Sequence, residues 1–115
     1  MTFRRAWTMR LRAGAEAAYD AAHAAVWPEL QAQMRADGIR RFVLYRDGTT
    51  VFAYQERQRP FPDRAAPASE ITARWWREMA ALMETDAEGR PLQTMLREIF
   101  ALRPDQETEN RETAR

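Results

Sequence analysis

The stretch that most restricts the fold is Arg41-Phe-Val-Leu-Tyr-Arg46, then Asp47-Gly48, then Thr50-Val-Phe-Ala-Tyr-Gln-Glu56. Two runs rich in β-branched and aromatic residues, separated by Asp-Gly, predict a β-hairpin, because glycine accepts the positive φ that a tight turn between twisted strands requires. Alternation puts Phe42 and Leu44 on one face opposite Val43 and Tyr45, and sets Val51, Ala53 and Gln55 against Phe52, Tyr54 and Glu56. An isolated ribbon is at best marginally stable in water, so the remaining chain has to supply further strands and a cover.

It does so on both sides of the hairpin. Phe3, Trp7, Met9 and Leu11 alternate with Arg4, Ala6, Thr8 and Arg10, with Arg5 as the one break, which predicts a half-buried strand. Ala15 to Ala25 is alanine-rich and reads as helix, with Tyr19, Ala22, His23 and Val26 on one face. Trp27-Pro28 predicts a bend, since proline disfavours helical geometry before it and suits the first position of the next helix. That second piece runs to about Ala36 with Leu30 and Met34 inward, and Gly38 is placed to cap it. Pro60, Pro62 and Pro67 make residues 58–68 irregular, and Ser69 then caps a helix carrying Ile71, Trp75, Met79, Leu82 and Met83. Thr94 to Leu102 alternates again and predicts a last strand, in which Glu98 shares a face with Leu96 and Phe100.

The order strand, broken helix, hairpin, helix, strand suits an α+β domain over residues 1–104, a ferredoxin-like βαββαβ sheet with helices on one face. Residues 105–115 lack an apolar anchor and are expected to be a disordered tail. Trp7, Phe42, Tyr45, Phe52, Tyr54 and Phe100 are more aromatics than one sheet face hides, which points to a homodimer or a lined cavity.

Charge narrows the partners. The 18 basic and 17 acidic side chains nearly cancel, so no strong field gathers nucleic acid or anionic lipid, and neither is an expected partner. The first residues hold no apolar stretch long enough for a membrane span or leader, and the absence of cysteine removes disulfides and thiolate chemistry. A cytoplasmic location is the expectation. With a single histidine and no spaced carboxylate cluster, chemistry without a metal is expected.

That histidine, His23, is the candidate catalytic residue, because imidazole exchanges protons near neutrality. It follows Tyr19 by one helical turn, so both can enter one pocket, although a packed histidine in an alanine-rich helix would show the same spacing. Trp75 and Trp76 are adjacent and point about 100° apart on a helix, so one can join the core stripe while the other lines a cavity. Indole faces suit sugars, stacking on C–H groups while the N–H donates a hydrogen bond. Trp27 lies close enough along the chain to stand beside His23.

Arg5-Ala6 with Met9, Tyr19-x-x-x-His23-x-x-x-Trp27-Pro-Glu-Leu30, the approach Tyr45 to Asp47, Arg74-Trp75-Trp76 and Leu96-x-Glu98-x-Phe100 together resemble the L-rhamnose mutarotase family over about residues 3–104. The resemblance implies a dimeric α/β-barrel-type enzyme that interconverts the α and β anomers of L-rhamnose, or of a related 6-deoxy sugar, without cofactor. It implies His23 as proton donor, with Tyr19, Trp75 and Trp76 holding the monosaccharide; Tyr19 or a water carries the second proton. The family usually places a substrate-binding tyrosine where this chain has Phe42, which removes one hydroxyl from the sugar's surroundings. The reading of another class is a dimeric sugar-binding module on the same fold without catalysis.

Overall fold

The computed structural model of the 115-residue chain describes residues 1–63 and 65–104, so the expected tail at 105–115 lies outside the described residues. Strand β1 (Phe3–Arg10) is followed by helices α1 (Glu16–His23) and α2 (Pro28–Ala36), strands β2 (Ile39–Asp47) and β3 (Thr50–Arg57), helix α3 (Glu70–Ala80) and the short strand β4 (Thr94–Leu96). The strands form one antiparallel sheet in the order β2-β3-β1-β4. An α+β architecture with helices on one sheet face is therefore what the chain adopts.

The hairpin forms with its loop one position later than the Asp-Gly pair suggests. Asp47 still pairs with Thr50, leaving Gly48 and Thr49 as the loop, and Gly48 takes the positive φ of 60°. The bend at Trp27-Pro28 also forms, because Pro28 opens α2 at a position where a missing N–H costs nothing. Ser69 caps α3 by accepting the Thr72 N–H at 3.2 Å.

Register decides the two faces. Trp7 and Met9 on β1 and Val51, Ala53 and Gln55 on β3 are buried, and they pack with Tyr19, Leu30, Trp75, Met79 and Met83 from the helical layer and its continuation. Across the sheet this face carries rows of paired residues: Arg5, Gln55 and Phe42 form one, and Trp7, Ala53 and Leu44 the next. Arg5, the break in the β1 alternation, thus sits on the helix-covered face beside Gln55. The opposite face bears Arg4, Val43, Tyr45, Phe52, Tyr54 and Leu96 and is open; Tyr45 is 68 % exposed.

The last strand is shorter than the alternation of residues 94–102 predicts. Only Thr94–Leu96 pairs with β1. Beyond it the chain keeps company with β1 through side chains: Arg4 donates to both carboxylate oxygens of Glu98, at 2.9 and 2.8 Å, where a continued ladder would have put the two residues opposite each other. Alternating polarity reports which side chains could face a core, but a strand needs backbone partners as well, and Ile99, Phe100 and Leu102 stay exposed. Glu98 consequently belongs to the open face and not to any site beneath the helices.

Candidate active site

Between the helices and the covered sheet face lies a cleft of about 1610 Å³. Tyr19 and His23 of α1, Trp75 and Trp76 of α3 and Phe42 of β2 all line it, so five of the six residues singled out from the sequence are brought together. Trp27 is not among the lining residues. Its ring meets Trp75 edge-on with centroids 5.0 Å apart and carries the Arg74 guanidinium 5.4 Å from its centroid, which makes it a support behind Trp75.

His23 is held by its own helix. Nδ1 lies 2.8 Å from the backbone oxygen of Tyr19. A carbonyl oxygen only accepts, so Nδ1 carries the hydrogen and the neutral ring keeps its lone pair on Nε2. Nε2 has no protein partner among the described residues. The imidazole is packed between two rings: Tyr19 at 4.2 Å between centroids, tilted 36°, and Trp75 at 5.4 Å, edge-on at 88°. Asp20 and Arg46 brace the same helix against β2 through paired contacts of Nε and Nη2 to the carboxylate. The Arg46 guanidinium holds the Asp20 carboxyl below the usual range, but an exposed pair of this kind orients more than it stabilises.

Tyr19 is buried at 5 % exposure, and burial, helped by the Asp20 charge, pushes its phenol from the ordinary 10.0 up to about 12. At neutral pH it is therefore a donor that stays protonated. The raised value has a stability consequence whose sign follows from linkage. Between pH 10 and about 12 the unfolded chain releases this proton while the folded chain keeps it, so the contribution is complete below the unfolded value and drains away as pH rises through that window. Two units correspond to roughly 2–3 kcal/mol at most. Urea midpoints measured across that alkaline window are expected to fall more steeply for wild type than for Tyr19→Phe; equal slopes would contradict it.

The sheet floor holds residues that sequence reasoning did not single out. Gln55 is 6 % exposed and lines the cleft next to Phe42 in the register. Arg57 donates from Nη1 to Gln55 Oε1 at 3.2 Å and from Nη2 to the Asp37 carbonyl at 3.0 Å. Phe61 is stacked by two guanidinium groups, with Arg5 at 4.1 Å and Arg57 at 5.5 Å from its centroid. Burial first, with the Arg59 and Arg5 charges adding to it and Asp37 opposing, lowers the Arg57 guanidinium below its usual value. The sign that could have exposed this group was a glutamine in register with Val51 and Ala53. Phe61, Pro62, Ala66 and Pro67 line it as well, so the described residues of the proline-rich segment shape the cleft.

Tyr45 and Tyr54 fall on the open face, where Tyr54 donates to the Glu56 carboxylate. Among the described residues no group of acidic or histidine side chains could hold a metal ion, and no helix is long and apolar enough to cross a membrane.

Known proteins converge on one assignment. A family model described as L-rhamnose mutarotase matches residues 4–102. An L-rhamnose mutarotase of Bacteroides thetaiotaomicron is 35% identical over 99 residues, covering 84% of this chain and 95% of the relative. One from Burkholderia orbicola is 37% identical with the same coverage. The crystal structure of an L-rhamnose mutarotase from Formosa agariphila superposes with a TM-score of 0.75 at 30% identity, covering 87% of this chain and 98% of that one. Fold and kinship define the class, an isomerase acting on carbohydrates. More narrowly, the chain belongs to the L-rhamnose mutarotase family.

Proposed function

We propose that this protein interconverts the α and β anomers of L-rhamnose by acid–base ring opening and closure, with His23 as the catalytic residue. The observation that carries the proposal is the His23 geometry: Nδ1 is tied to the Tyr19 carbonyl, and the other nitrogen is left unpartnered in a cleft lined by two tryptophans. Mutarotation requires one proton to leave the anomeric hydroxyl and one to reach the ring oxygen. Nε2 takes or gives the proton at one of these oxygens, and the Nδ1–H bond fixes the ring orientation and steadies the imidazolium. The protonated Tyr19 phenol, or a water, serves the other oxygen. Once the ring opens, the aldehyde turns and recloses on its other face. Trp75 and Trp76 hold the sugar through ring faces and indole N–H groups, and Phe42 packs against it from the sheet.

The strand order and the one-sided helical layer support the ferredoxin-like reading of the domain over residues 1–104. The open face, with Tyr45, Phe52 and Leu96 exposed, supports a homodimer of the α/β-barrel type closed by two such sheets.

The test is exchange NMR on the anomeric protons of L-rhamnose. Wild-type protein is expected to accelerate exchange far above the buffer rate at matched pH. Acceleration with L-fucose and not with L-rhamnose would move the substrate, and no acceleration with any 6-deoxy sugar would reduce the protein to a binding module.

A further inference from the structure

We infer that Gln55 is a specificity-determining residue of this cleft, donating from its side-chain amide to a ring hydroxyl of the sugar in place of the hydroxyl missing at Phe42. The inference rests on the mutarotase reading of the same site and adds to it a contact and the residue that positions it.

Apart from the tyrosine and tryptophan rings, Gln55 is the one buried polar side chain among the described residues. Native proteins rarely bury such a group without satisfying it, so its bonds need accounting. Its oxygen is accounted for, accepting from Arg57 Nη1 at 3.2 Å. That contact settles which end of the amide is which, because a guanidinium has only hydrogens to offer. The amide nitrogen is thereby turned away from Arg57 and has no protein partner among the described residues. It is not among the polar atoms sealed from solvent without a partner, and its residue lines the cleft. A donor pair thus faces the space where a sugar would lie.

Position makes the contact specific. Gln55 is paired directly with Phe42 on β2 and with Arg5 on β1, so the three side chains form one row across the floor. The next row carries Trp7, whose ring lies 5.9 Å from that of Phe42. A sugar seated on Phe42 has Gln55 as its direct cross-strand neighbour on the floor. Phe42 offers that sugar a ring face and no hydrogen bond; the adjacent amide supplies the polar contact from the neighbouring strand.

Arg57 is a positioning residue. Its Nε is sealed from solvent, so that atom cannot reach a ligand, and its two outer nitrogens are engaged by Gln55 and the Asp37 carbonyl. It links the end of α2 to the floor of the cleft and holds the Gln55 amide in one orientation.

The experiment compares wild type, Gln55→Leu and Arg57→Met with L-rhamnose and its 2-, 3- and 4-deoxy analogues (the ring positions, besides the anomeric carbon, that carry free hydroxyls). Binding is read by saturation-transfer titration and turnover by anomeric exchange. Gln55→Leu is expected to weaken L-rhamnose binding about tenfold, the loss of one hydrogen bond in a cleft, and to raise KM with kcat largely kept. For one deoxy analogue the wild-type penalty should vanish in the variant, and Arg57→Met should blunt the same discrimination. Adding Phe42→Tyr to Gln55→Leu should recover part of the affinity. Should Gln55→Leu fold poorly, Gln55→Asn keeps the polarity but shortens the reach, and the same loss of discrimination is expected. Unchanged binding, or an equal loss for all four sugars, would overturn the role. If wild type binds L-rhamnose but does not accelerate exchange, the mutarotase reading fails while the binding arm still judges Gln55; if it binds none of the sugars, both fall.

Discussion

Replacing His23 by alanine is expected to slow enzymatic anomer exchange by about 10²–10⁴-fold, the range that a positioned acid–base group supplies, with sugar binding changed far less. The asymmetry follows from the geometry. In the proposed mechanism the ring contributes Nε2 to the chemistry, while the surfaces proposed to hold the sugar are Trp75, Trp76, Phe42 and the floor beneath them, which line the same cleft. His23 is half-buried and, among the described residues, its one protein hydrogen bond is to a carbonyl of its own helix, so its removal exposes little core. The measurement is exchange NMR on the anomeric protons together with saturation transfer for binding. A His23→Ala protein that binds L-rhamnose and exchanges it at the wild-type rate would remove His23 from the mechanism.

The second large effect is on stability. Leu30 is 1 % exposed and is the one buried residue of α2, a nine-residue helix with polar side chains over most of its surface. Leu30→Ala removes buried methyl groups and leaves a cavity that the sheet and α3 fill only partly, costing about 2–5 kcal/mol. Total stability for a domain of this kind is roughly 5–15 kcal/mol, so the loss is a large share of it. Urea denaturation should show a lowered midpoint with an unchanged slope; an unfolding free energy within a few tenths of a kcal/mol of wild type would mean that α2 is not held by this contact. The consequence should extend to the cleft. The carbonyl that fixes Arg57 belongs to Asp37, the residue that closes α2, so a loosened helix should also loosen the floor of the site.

Local chemistry explains what was legible beforehand. Turn chemistry placed the hairpin, alanine content and Pro28 placed the broken helix, and Ser69 placed the start of α3, because each acts within a few residues of itself. The pairing of Tyr19 with His23 was legible for the same reason, since one helical turn brings them to one face. Two expectations met limits of a different kind. The alternation of residues 94–102 was real, yet only three of those residues joined the sheet, because hydrogen-bonded partners are set by the neighbouring strand and not by the segment. Trp27 was near His23 in the chain, but its ring was spent on packing against Trp75.

By itself, then, the sequence determined the element order, the placing of Tyr19 and His23 on one helical face, and the family resemblance that residues 4–102 bear out. Those rest on spacing, propensity and residue chemistry, which a linear chain carries in full. Only the tertiary structure decided that Arg5, Gln55 and Phe42 stand in one row, that Arg57 donates to the Gln55 amide oxygen, and that Glu98 meets Arg4 on the open face. These contacts join residues far apart in the chain, and cross-strand register is fixed by how the whole sheet packs beneath its helices, a global minimum that no short stretch contains.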